Sequence, residues 1–222
     1  MAIELYWGSG SPYSWRVMLA LEWKKTPYAS NMINFSKGEH KAPSFLALNP
    51  RGKVPVLKDG DIVLYETLAI MNYLERKQPD PALFGRTATE TANVYREVSE
   101  CFYYFEQPAF EVIAPVFFGG VDEKAAAMKV AAETLHKELS RLEKILTTTN
   151  WLVGDKLSAA DIWWYPEIML LERAGAKDVA KPLNLDLGSI AKRYPAIGRW
   201  QKRIEAQPGY ERTYPPHWKQ AA

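Results

Sequence analysis

Apolar positions change their spacing several times in the first third of the chain and then keep one helical spacing to the end. A short apolar run, residues 3–7, reads as a strand, and the glycine-loosened stretch at residues 8–11 reads as the loop that follows it. Tyr13, Val17, Ala20 and Leu21 then fall on one helical face. Ser11 stands where an N-cap belongs, and Pro12 takes the first helical position, where its missing N–H costs nothing. Residues 28–35 predict a second strand, and residues 44–48 a short helix ending near Asn49-Pro50. Two apolar runs around Asp59-Gly60, within residues 54–65, predict a hairpin. Thr67, Ile70, Met71 and Leu74 follow at i, i+3, i+4 and i+7 and mark a third helix to about Lys77. The predicted order is β-α-β-α-β-β-α.

Gln78-Pro79-Asp80-Pro81 breaks that helix and predicts a linker over residues 79–86. Residues 1–78 are then one α/β domain, and residues 87–222 an all-α helical bundle domain with a C-terminal tail. Tyr95, Val98, Phe102 and Phe105 form one stripe, and Met128, Ala132, Leu135, Leu139, Leu142 and Leu146 another. The second alternates spacings of four and three, and a single segment of that kind belongs inside a bundle rather than in a coiled coil. Ser158 and Asp161 match a capping box with Asp in place of Glu, with Leu157 and Ile162 at the staple positions. Pro195 begins a final helix carrying Ile197, Trp200 and Ile204.

Composition narrows the function classes. Over 222 residues the chain is long enough for a real core, and 47% hydrophobic residues argue against disorder. Lys and Arg number 28 against 26 Asp and Glu, so a net charge of +2 gives no general pull towards nucleic acid or an anionic membrane. Cys101 is the sole cysteine, which excludes an internal disulfide and points to a reducing, cytoplasmic setting. An early Glu4 and the lack of a long apolar core argue against a signal peptide, and no run approaches the ~20 apolar residues of a membrane span. Three histidines and one cysteine provide no metal-ligand cluster.

A lone serine at a helix start is ordinarily a cap and nothing more. Here it opens Ser11-Pro12-Tyr13-Ser14, which resembles the Cys-Pro-Tyr-Cys redox site of glutaredoxins with serine at both cysteine positions. A hydroxyl there serves only a thiolate brought by the substrate, the hallmark of serine-type glutathione transferases. The serine loop, the Val-Pro hairpin, the Glu-Thr helix start and the capped helix of the second domain follow in the family's order. On those features the chain resembles the cytosolic glutathione S-transferases of serine type (theta-, zeta- or tau-like) over nearly its whole length. The resemblance implies a thioredoxin-like N-terminal domain and an all-helical C-terminal domain. It also implies glutathione as co-substrate and a homodimer, while composition and charge give the expectation of no metal and of neither nucleic acid nor membrane as partner.

Residue by residue, the resemblance makes Ser11 the catalytic group and places glutathione against Ser11, His40, Lys53, Val54, Glu66 and Thr67. Pro55 stands at the family's cis-proline, and a turn that leaves the main chain of Val54 unpaired lets an extended peptide dock there like an added strand. Glu66-Thr67 opens the third helix, so Thr67 and helix N–H groups suit a carboxylate while Glu66 suits an α-amino group. Lys53 and His40 would approach the glycyl end. The bland alternatives are an edge-strand proline, ordinary capping and a solvated histidine. Tyr6 matches the catalytic position of tyrosine-type classes, but the Ser-Pro-Tyr loop favours reading it as a core or edge aromatic. Ser14 is expected to bond the backbone, and Cys101 to be a small buried apolar residue.

A small apolar electrophile would meet an aromatic wall, for which Tyr13, Tyr103, Tyr104 and Phe110 are candidates. The tail Tyr214-Pro215-Pro216-His217-Trp218 would cover that pocket, grip a partner, or pack on the body. The expected reaction is glutathione transfer to the electrophile. A glutathione-dependent isomerase or dehalogenase is the alternative, although the zeta pattern Ser-Ser-Cys meets Ser11-Pro12-Tyr13 here. A non-catalytic scaffold or carrier is the alternative from another class.

Overall fold

Ile3, Leu5 and Trp7 are buried while Glu4 and Tyr6 are half-buried, the period-two alternation that makes residues Ile3–Trp7 strand β1. The computed structural model describes residues 3–219. Helix α1 (Pro12–Trp23) follows, and β2 (Tyr28–Met32) lies parallel to β1. A 3₁₀ turn (Glu39–Lys41) and α2 (Pro43–Leu46) lead to the hairpin of β3 (Val56–Asp59) and β4 (Ile62–Tyr65). Asp59 pairs with Ile62 across the hairpin, and Gly60 at φ 63° supplies the left-handed residue that the tight turn needs. Helix α3 (Thr67–Lys77) closes the set with Thr67, Ile70, Met71 and Leu74 buried, the face read from their spacing. The sheet order is β2-β1-β3-β4, with β3 antiparallel to both neighbours. This is the thioredoxin-like arrangement expected.

Two details differ from the sequence pattern. The second strand stops at Met32, because the Asn34 side chain accepts from Lys37 N at 3.1 Å and turns the chain before Phe35. Helix α1 is not one-sided: residues Ser14 to Leu21 are all buried, since α1 packs on α3 and also beneath the C-terminal tail, while Tyr13 is 41% exposed. At its end Lys24, fully buried, pairs with Glu75 at 2.6 Å and donates to the carbonyls of Gln78 and Pro81. That network fastens the chain that leaves α3.

The second compact unit, Phe84–Glu205, is helical. It runs α4 (Ala88–Glu100), a π-helical turn (Cys101–Phe105), α5 (Glu106–Phe118), α6 (Val121–Thr148), α7 (Ala159–Gly175), a 3₁₀ turn (Asp178–Leu183), α8 (Ile190–Arg193) and α9 (Pro195–Glu205). All six residues of the α6 stripe are buried, as are Ile197, Trp200 and Ile204 of α9. The first stripe needs correction. Its buried row is Val94, Val98, Cys101 and Phe105, and Phe102 is 51% exposed. The wider π turn rotates residues 102–104 off the face that a regular helix would bury.

Beyond α9 the chain makes two further helical turns, α10 (Tyr210–Thr213) and α11 (Pro216–Lys219), where one final helix at Pro195 was expected. Ala206–Ala222 groups with Met1–Leu83 in the first unit, not with the helices that precede it. The reason is aromatic: Tyr210, Tyr214 and Trp218 all pack on Trp15 of α1. The tail is therefore a packed segment through Lys219, and its last residues, 220–222, lie outside the described residues.

Candidate functional site

Register decides which ends meet. Tyr6 pairs with Val56 and Val56 with Tyr65, so the residues just after β1, just before β3 and just after β4 lie at one end of the sheet. Parallel pairing of Trp7 with Met32 brings the chain after β2 to the same end. The sequence-predicted residues Ser11, Val54, Glu66 and Thr67 lie next to three of those four chain ends, after β1, before β3 and after β4. Helices α1 and α3 also start there, with no acidic residue in the first turn of either, so two positive helix ends face one region.

Residues 8–11 form a β-turn closed by Ser11 N donating to Gly8 O at 3.1 Å. Gly10 has φ 81°, the value required at the third position of a type II turn. Gly8 is needed for another reason: the Phe35 ring and Val54 Cγ2 occupy the space that a Cβ would fill. Ser11 is the N-cap of α1, its Oγ accepting from Ser14 N at 3.3 Å. Capping uses a lone pair of Oγ and leaves the O–H proton with no acceptor among the described residues. Ser14 is fully buried, and its Oγ accepts from Gly8 N at 3.3 Å, the backbone role expected for it.

The Val54–Pro55 peptide is cis, and Val54 precedes the first paired residue of β3. No hydrogen bond engages its main chain among the described residues. Glu66 is the N-cap of α3 at φ 72° with an exposed carboxylate that makes no capping bond. A non-glycine residue at positive φ is strained, and strain of this kind is retained where a side chain has to be aimed. Thr67 is buried, and its hydroxyl donates to Tyr13 O at 3.4 Å, tying the start of α3 to the first turn of α1. His40 packs edge-on against Phe35, ring centroids 5.2 Å apart, and its Nδ1 is buried without a hydrogen-bond partner. Gly52 approaches the His40 carbonyl, which brings the Arg51-Gly52-Lys53 loop alongside. Lys53 itself is exposed. Phe35, the link between Gly8 and His40, was not singled out by sequence, because only the early end of β2 brings it there.

The rivals to Ser11 are otherwise engaged. The Tyr6 hydroxyl donates to Glu4 Oε2 at 3.0 Å, two residues back along β1 and away from the turn. Burial first, and then this bond to a carboxylate, push the Tyr6 phenol above its ordinary value. Cys101 is fully buried. Of the proposed aromatic wall, Tyr13 belongs to the first unit, while Tyr103, Tyr104 and Phe110 of the helical unit are 68, 59 and 57% exposed. Tyr103 and Tyr104 owe that exposure to the π turn. No His, Cys, Asp and Glu group suited to a metal occurs among the described residues, and no helix among them is long and apolar enough to cross a membrane.

Residues 10–77 match the family model of the glutathione S-transferase N-terminal domain, and residues 104–208 that of the glutathione S-transferase C-terminal domain. Glutathione S-transferase A of Pleuronectes platessa is 30% identical over 97% of this chain and 92% of its own length. Glutathione S-transferase 4 of Zea mays is 35% identical over 93% of this chain and 89% of its own. The crystal structure of a glutathione S-transferase from the Antarctic clam Laternula elliptica superposes with a TM-score of 0.83 at 33% identity, covering 99% of this chain and 95% of that one.

Proposed function

The chain belongs to the cytosolic glutathione S-transferase family and is a glutathione transferase, and we propose that it is of the serine type, with Ser11 activating the thiol. The observation that carries this reading is the cap itself: Ser11 Oγ spends a lone pair on Ser14 N and keeps its proton for a sulfur at the start of α1.

Glutathione docks in extended form along the unpaired main chain of Val54. Its γ-glutamyl carboxylate sits at the start of α3 with Thr67, and its α-amino group meets the Glu66 carboxylate. His40 and the exposed Lys53 receive the glycyl carboxylate. A thiol of pKa near ~8.5 is mostly protonated at neutral pH, and each unit of depression takes about 1.36 kcal/mol. A hydrogen bond to the charged sulfur supplies about 1.5–3 kcal/mol and a helix N-terminus about 0.3–1 kcal/mol. Together they lower the thiol pKa by roughly one to three units. Ser11 acts as donor rather than base. The thiol proton goes to solvent, the sulfur lone pair forms the new C–S bond, and the leaving group departs with its electron pair.

Tyr13, Tyr103, Tyr104 and Phe110 are the proposed contacts of a small apolar electrophile. Isomerase, dehalogenase and carrier roles are not favoured. A cytoplasmic, detoxifying homodimer without nucleic-acid or membrane partners completes the proposal. The test is conjugation of glutathione to an activated aryl halide: Ser11→Ala should keep glutathione bound and slow conjugation roughly ten- to hundredfold at neutral pH. Full activity in that variant would remove Ser11 from the mechanism.

A further inference from the structure

The catalytic turn is not held by its own bonds alone. Residues 206–219 return to α1 and are anchored on Trp15, whose indole Nε1 donates to Thr213 Oγ1 at 2.9 Å. The Trp15 ring meets those of Tyr214 and Trp218 edge-on, with centroids 5.8 and 5.4 Å away. Arg212 adds an ion pair with Glu22 on the far part of α1. This anchoring sets α11 beside the turn. His217 Nδ1 lies 2.6 Å from Ser9 Oγ, a hydrogen bond across 208 residues of sequence. A Cβ on Gly10 would stand 2.8 Å from His217 Cε1 and 3.4 Å from Trp218 Nε1. Glycine is therefore required at position 10 twice, for its φ of 81° and because the imidazole fills the adjacent space.

We infer that His217 is a positioning residue for thiol activation, clamping Ser9 and Gly10 and through them aiming the Ser11 hydroxyl. The inference rests on the reading of Ser11 as the sulfur's donor. Ser9 and Gly10 are the two central residues of the turn, and Gly10 has the widest conformational freedom of any residue next to Ser11. The Gly10–Ser11 peptide decides where the Ser11 Cβ points. A hydrogen bond weakens steeply as its angle closes, so a turn that wanders costs sulfur stabilisation even when glutathione remains bound by Val54, Glu66 and Thr67. A tail that only packed on α1 would need Trp15, Tyr210, Tyr214 and Trp218, and it would not need an imidazole bonded to Ser9.

The test uses the full chain with His217→Ala, His217→Asn, Ser9→Ala and the double variant of Ser9→Ala with His217→Ala. Each is read by conjugation kinetics, by ultraviolet titration of the thiolate in the glutathione complex, and by thermal melting. His217→Ala should lower kcat at neutral pH about three- to tenfold and raise the bound thiol pKa by roughly half to one unit. The KM for glutathione should move less than about twofold, the split expected when ground-state binding is kept. His217→Asn, which can still bond Ser9, should recover most of kcat. Ser9→Ala should reproduce the loss, and the double variant should lose no more than either single one. Ser9→Ala leaves the tail untouched, so it carries the test by itself if His217→Ala does not fold. An unchanged thiol pKa and kcat in folded His217→Ala or Ser9→Ala, beside a deficient Ser11→Ala, overturns the clamp alone. An undiminished Ser11→Ala overturns the reading of Ser11 and the clamp with it.

Discussion

Glu66 and Ser11 are both first described as helix caps, yet their geometries differ in a way that separates structure from function. Ser11 sits in ordinary extended backbone at φ −75° and makes its capping bond. Glu66 sits at φ 72° and makes none, so its conformation is a cost with no local return. Glu66→Gly should therefore hold or raise the melting temperature, because glycine adopts that φ without strain. The same variant should weaken glutathione binding about three- to tenfold, the value of one partly exposed ion pair, in titration calorimetry. Unchanged affinity would detach Glu66 from the α-amino group. Sequence marked Glu66 by its place before a helix, and the positive φ was not legible there. No glycine or asparagine announces it, and only the exit from β4 imposes it.

Elements form where local chemistry and tertiary packing agree, and α7 is the clearest case. Asp161 accepts from Leu152 N and Ser158 N, both at 2.9 Å, from Ser158 Oγ at 3.0 Å and from Trp200 Nε1 at 2.8 Å. One carboxylate thus caps α7, fixes the loop before it and fastens α9. Asp161→Ala orphans three buried donors together with the cap, and should cost at least about 3 kcal/mol in denaturant unfolding. Burial pushes Asp161 up to about 6, against the pull of its four donors. Its folded pKa thus exceeds the unfolded value of 3.8, so its contribution is full below that pH and is lost as pH rises through 6. Relative to Asp161→Asn, the parent chain should lose roughly 2 kcal/mol between pH 4 and pH 7. A pH-independent difference between the two would contradict this. The capping box, the α6 stripe and the Asp59-Gly60 hairpin were legible because each is written in neighbouring residues. The π turn that exposes Phe102, the burial of α1 on several sides and the end of β2 were not, because distant packing or a single Asn34 bond decides them.

Across the whole molecule, the first unit is discontinuous in sequence, joining Met1–Leu83 to Ala206–Ala222. Sequence reading follows the chain, and nothing in the spacing of Tyr210, Tyr214 and Trp218 says that their partner is Trp15. That is why the tail was legible as aromatic but not as part of the first unit. The proposed homodimer is tested by sedimentation, where a particle of twice the 25.3 kDa chain is expected and a monomer at micromolar concentration contradicts it. The proposed chemistry turns on which group ionises the sulfur. The most direct measurement is the thiol pKa of bound glutathione, followed by thiolate absorbance against pH, in the parent chain and in Ser11→Ala. The parent complex should titrate roughly one to three units below free glutathione, and most of that depression should vanish in Ser11→Ala. An equal depression in both proteins would contradict it and turn attention back to Tyr6.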